Sequence, residues 1–110
     1  MTLNEYQLLA ARTINMNLTM KDALHHSLFG LASEAGELLD IYQKELQGHP
    51  VDIEHAKKEA SDCLWMIAEW CTVNRIDLDE IATLNIEKLK ARYPDGFDSD
   101  KSIHRKEGDI

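Results

Sequence analysis

A chain of 110 residues holds one domain at most, and its 44% hydrophobic content is enough for a core while leaving much surface exposed, which favours self-association. The net charge of −8 argues against a nucleic-acid backbone as partner, and the apolar runs are too short to cross a membrane. The opening MTLNEYQ has no basic stretch followed by an apolar one, so no secretory signal is expected. Cys63 and Cys71, too far apart on one predicted helix to bridge, fit core filler in a reducing cytoplasm.

Glycine and proline cluster in a few places, and long periodic segments lie between them, which predicts an all-α, four-helix subunit. Thr2 with Glu5 forms a capping box for a first helix, about residues 3 to 16. Thr19 with Asp22 opens a second, about 20 to 47, closed by Gly48-His49-Pro50. Asp52 caps a third, about 53 to 74, and Asp77 with Glu80 caps a fourth, about 78 to 92, ended by Pro94-Asp95-Gly96. This gives a domain over 1–96 and a tail over 97–110 that is polar, mixed in charge and expected to be irregular or ordered only against a partner.

Winding the second helix at about 100° per residue puts Leu24, Leu28, Leu31, Ala35, Leu38, Leu39, Tyr42 and Leu46 on one apolar face. Glu34 and Glu37 fall on its edge, in a column with Gly30 and Ile41. On the third helix, Ile53, Ala56, Ala60, Cys63, Leu64, Ile67 and Cys71 make the apolar face, with Glu59, Asp62 and Met66 on its edge. Packing by these apolar faces would let four carboxylates meet along one rim. Two readings stand. With 20 acidic residues in 110 the pairs fit a solvated helix edge. Converging carboxylates instead need a compensating cation, and an all-oxygen set without His or Cys suits Mg²⁺ or Mn²⁺. A carboxylate-held Mg²⁺ commonly meets substrate phosphates, which points to phosphate-ester or phosphoanhydride chemistry.

At these residues the sequence resembles a known family. "GLASEAGELLD" (30–40) and "EASDCLW" (59–65) carry Glu34-x-x-Glu37, then 21 residues, then Glu59-x-x-Asp62, similar to the E-x-x-E…E-x-x-D signature of the MazG-like, all-α nucleoside triphosphate pyrophosphohydrolases. "NIEKLKARYPDGF" (85–97) resembles the family's C-terminal helix and turn. The resemblance implies a helical bundle assembled as a homodimer or homotetramer, with Mg²⁺ (or Mn²⁺ in its place) on Glu34, Glu37, Glu59 and Asp62. It implies hydrolysis of a nucleoside triphosphate to monophosphate and pyrophosphate. It also puts Lys88 and Arg92, the matching K-x-x-x-R, beside the phosphates. The alternatives are a dedicated substrate such as dUTP, dCTP or phosphoribosyl-ATP, or a non-catalytic helical module that binds metal or nucleotide or only assembles.

Several further residues carry readings of their own. Trp65 and Phe29 lie off the core stripes; Trp65 could stack on a base, but a subunit interface is the expectation for both. His26 is expected at the surface, winding toward the Glu37 side. Arg105 and Lys106 either fold over phosphates or belong to a loose tail.

Overall fold

The computed structural model describes residues 1–110 and holds five helices and no strand: α1 (Leu3–Ala11), α2 (Met20–Glu45), α3 (Ile53–Val73), α4 (Leu78–Arg92) and a short α5 (Ser99–Ile103). The capping box at Thr2 and Glu5 forms as expected, with Glu5 N–H donating to Thr2 Oγ1 (3.0 Å) and Thr2 N–H to Glu5 Oε2 (3.2 Å). Thr19 and Asp52 cap α2 and α3 through Asp22 N–H and His55 N–H. Helix α1 stops at Ala11, short of residue 16. There Thr13 donates its hydroxyl to Ala10 O and Asn15 Oδ1 accepts from Asn17 N–H, so side chains take over backbone groups that a further turn would need.

Asp77 makes no side-chain cap bond, contrary to the expectation for the fourth helix. The first amides of α4 are satisfied from α1 instead. Leu78 N–H donates to Gln7 Oε1 (2.7 Å) and Asp79 N–H to Asn4 Oδ1 (3.1 Å). Gln7 is buried, and its amide nitrogen also donates to Thr72 Oγ1 and Ile76 O, so one side chain ties α1 to the α3–α4 turn. That turn needs a left-handed residue, which is Arg75 (φ 57°).

Helices α2 and α3 pack along their length, α1 lies on α3, and α4 rests on α1. The small core is Ala68, Cys71 and Leu78 with Tyr6, Ala10, Ile67, Trp70, Ile76 and Ile81 around it. Burial pushes the Cys71 thiol up from its ordinary value, with a further push from Glu80, which fits an inert core thiol.

The seam between α2 and α3 is not the pair of apolar faces expected from the helical wheel. On α2 the buried positions are Ala23, Ser27 and Ile41, and Gly30 faces the buried Met66 of α3 so closely that a Cβ at residue 30 would overlap its Sδ. The physical reason is size: alanine, serine and glycine let two backbones approach where leucines would hold them apart. Half of the expected apolar face of α2 is left bare, with Leu28, Leu39, Tyr42 and Leu46 at 44%, 69%, 45% and 88% exposure, while Leu24, Leu31, Ala35 and Leu38 are partly buried. Ile53 and Leu64 on α3 are also exposed. The radius of gyration, 17.1 Å, exceeds the roughly 13 Å of a compact domain of this size. A chain with these proportions has apolar surface to share.

Candidate active site

Because the seam runs through the column expected to be an edge, it carries the acids inward. Glu34 of α2 meets Glu59 and Asp62 of α3, and one carboxylate oxygen from each lies within 4.8 Å of the others. All three are partly buried. Glu37 is exposed, on the rim one turn further along α2, and stands outside this trio. The Glu34 carboxyl is pushed above its ordinary value by loss of water first, then by the charges of Asp62 and Glu59, and least by Glu37. Glu37 therefore still acts on the cluster through space.

Neighbouring groups hold these acids. His55 Nε2 lies 2.9 Å from Glu59 Oε1, one helical turn away on the same face. The Tyr6 hydroxyl of α1 is pushed up by burial and then by the charge of Asp62, which puts α1 beside the same end of the seam. Further along, Glu69 is a buried carboxylate, 2% exposed, bound through both oxygens to His26 Nδ1 at 2.9 and 3.0 Å. His26 is half exposed and still tied into the seam, rather than a free surface residue. His55 was legible as the residue four before Glu59. The His26–Glu69 pair spans 43 positions and leaves no local trace in the sequence.

The donor set suits a hard divalent ion. Three converging carboxylate oxygens offer no soft ligand, and their repulsion is what a cation relieves.

Lys88 and Arg92 are elsewhere in the chain's own fold. With the tail they line a pocket that none of the four acids borders. Within this chain the basic pair and the acidic trio thus border different places, and α4 rests on α1. The tail is irregular apart from α5 and one returning contact. Asp98 caps α5 by accepting from Asp100 N–H, and Asp109 returns to Arg92. Trp65 is engaged within its own chain, its indole N–H donating to Thr13 Oγ1 (2.9 Å). Phe29 remains 69% exposed, stacked on His25.

A family model, the MazG nucleotide pyrophosphohydrolase domain, matches residues 18–97, which takes in α2, α3, α4 and the turn after it. The chain belongs to the MazG family. Its members are hydrolases of phosphoanhydride bonds in nucleotides, and both acidic pairs and the Lys88/Arg92 pair lie inside the matched span. Comparison with curated proteins and comparison with solved structures each find no match. No helix of this MazG domain is long and apolar enough to cross a membrane.

Proposed function

We propose that the chain hydrolyses a nucleoside triphosphate to the monophosphate and pyrophosphate, with a divalent ion at Glu34, Glu59 and Asp62. The observation that carries this reading is the convergence of those three carboxylates, within 4.8 Å, in a MazG domain. Glu37, on the rim, is the fourth acid of the motif and completes the set from the solvent side. Mg²⁺ or Mn²⁺, held by Glu34, Glu59 and Asp62, would supply charge neutralisation and make an attacking water more acidic. The reaction adds a water oxygen to the α-phosphorus and breaks the bond to the bridging oxygen, which leaves with pyrophosphate. Glu34, whose carboxyl is raised by its neighbours, is the acid best placed to take the water's proton.

The role of Lys88 and Arg92 is to neutralise the polyphosphate. Since they line a pocket that none of the acids borders, a second copy is the natural source of cations for this acidic cluster. The bare half of the apolar face of α2 is the natural surface for its docking, so the working unit is a homodimer or a higher homo-oligomer.

The test is pyrophosphate release with ribo- and deoxyribonucleoside triphosphates, dUTP and dCTP among them, and phosphoribosyl-ATP. Turnover is expected with Mg²⁺ or Mn²⁺, little with Ca²⁺, whose looser coordination misplaces the ligands, and none after chelation. Absence of pyrophosphate release across the panel, in protein that binds Mn²⁺, overturns the catalytic reading and leaves a binding module.

A further inference from the structure

Beyond the acidic seam, the molecule has a second concentration of charge of the opposite sign. In a chain of net charge −8, a pocket of about 550 Å³ between α4 and the tail is lined by Lys88, Arg92, Lys101, Arg105 and Lys106, with Asp109 as its one carboxylate side chain. That volume is in the range of sites for small ligands. Four of the five cations, Lys88, Lys101, Arg105 and Lys106, form no ion pair. The fifth does. Arg92 Nε and Nη2 donate to the two oxygens of Asp109, both at 2.8 Å, in the parallel fork by which arginine grips a carboxylate or a phosphate alike. Arg92 is 10% exposed and Asp109 16%.

The tail is shaped for this contact. Gly108 turns with φ 85°, and Asp109 N–H donates to Lys106 O (3.1 Å), closing a tight turn that presents the carboxylate to α4. The Tyr93-Pro94-Asp95-Gly96 turn, with Gly96 N–H on Tyr93 O, sends the chain back over α4 in the first place.

We infer that the α4–tail pocket is a polyphosphate site and that Asp109 holds Arg92 in the place of a ligand phosphate, so that a polyphosphate binds by displacing it. The inference rests on the reading of Lys88 and Arg92 as phosphate-binding groups, and adds the tail as both wall and competitor. The forked edge of Arg92 is the edge that matches two phosphate oxygens, and the near-complete burial of the side chain leaves little else to offer. A ligand with several negative charges gains the four unpaired cations as well, which a single aspartate does not satisfy. Displacement is therefore favourable for a polyphosphate and poor for a monoanion.

The probe is inorganic tripolyphosphate, titrated calorimetrically in chelator. Asp109→Asn keeps the shape and removes the competing charge, and it is expected to bind about tenfold more tightly than wild type, as suits the loss of one charge-assisted competitor. Arg92→Gln is expected to lose most of the binding. Equal or weaker binding by Asp109→Asn would mean that Asp109 orients Arg92 instead of blocking it, and overturns the inference. So would unchanged binding by Arg92→Gln. On the wild type, tripolyphosphate is expected to speed hydrogen exchange of the Asp109 amide, which donates to Lys106 O, and unchanged or slower exchange at saturation also counts against displacement. No metal and no turnover enter this measurement. A chain that hydrolyses nothing can pass it, and an active hydrolase can fail it.

Discussion

Gly30→Ala tests whether the α2–α3 seam is set by close approach. In an open helix the change would stabilise by about 1 kcal/mol, because alanine is the better helix former. Here the new methyl overlaps Met66 Sδ and lies 3.1 Å from its Cγ and 3.7 Å from its Cε. Moving Sδ alone does not clear the contact, since Cγ is crowded too. Met66 is 2% exposed, and its one relief is the small apolar cavity it shares with Ser27, Leu28, Leu31, Ile67 and Trp70. Overpacking costs about 1 to 3 kcal/mol, so the balance is a net loss of about 1 kcal/mol, or about 4 °C in melting temperature for a domain of this length.

The decisive measurement is a double-mutant cycle in urea. Met66→Ala alone is expected to cost about 2 kcal/mol or more, as removal of a buried methionine side chain does. Added to Gly30→Ala it should cost at least about 1 kcal/mol less, because the methyl then occupies space the thioether has vacated. Glu34 lies one turn further along the same face, so Gly30→Ala should also weaken Mn²⁺ binding. Two results would refute the reasoning. One is a stabilisation by the full helical value in Gly30→Ala. The other is additivity of the two substitutions within about 0.5 kcal/mol, the behaviour of sites that do not touch.

Three further expectations follow from the charges and the bare face. Glu34→Gln should abolish hydrolysis yet raise the melting temperature in chelator. A carboxyl raised above its ordinary 4.5 costs stability above its own pKa and ceases to do so as pH falls below the ordinary value, so the gain should fade in acid. Saturating Mg²⁺ should cancel the gain, whereas Glu37→Gln on the rim should give a smaller one; equal melting of Glu34→Gln and wild type in chelator would count against a strained trio. Leu39→Glu, placed on the exposed face of α2, should shift sedimentation toward the monomer, and a wild type already monomeric at micromolar concentration would refute assembly through that face. Arg92, with lesser help from Arg105 and Lys88, holds the Asp109 carboxyl below its ordinary 3.8. The tail contact is therefore complete above that value and lost as pH falls through the depressed one, so exchange protection of the Asp109 amide should persist at pH 5 and vanish only in stronger acid.

The sequence announced the helices because their ends are local: Thr2, Thr19 and Asp52 sit beside the amides they cap. It announced the acids because their spacing and surrounding words are local too. The seam was misjudged for a physical reason. A helical wheel ranks faces by hydrophobicity, and the most apolar face of α2 is the one a single subunit leaves half open, while the face it buries is built of Ala23, Ser27 and Gly30 around a carboxylate. Contacts between distant positions left no mark that periodicity can read. Gln7 reaches across 71 positions to cap α4, and Asp109 returns 17 to grip Arg92.

The borrowed cap of α4 bears on the order in which the chain assembles. The α2–α3 hairpin closes a short loop around Gly48 and is built from neighbours in sequence, so it can form early and quickly. Helix α4 is different, because its first amides wait for Gln7 and Asn4, which lie 71 and 75 positions back along the chain. On a ribosome those two residues emerge well before the partners they must find. Until they do, α4 begins with open donors, and the basic pocket that hangs from its far end has no fixed base.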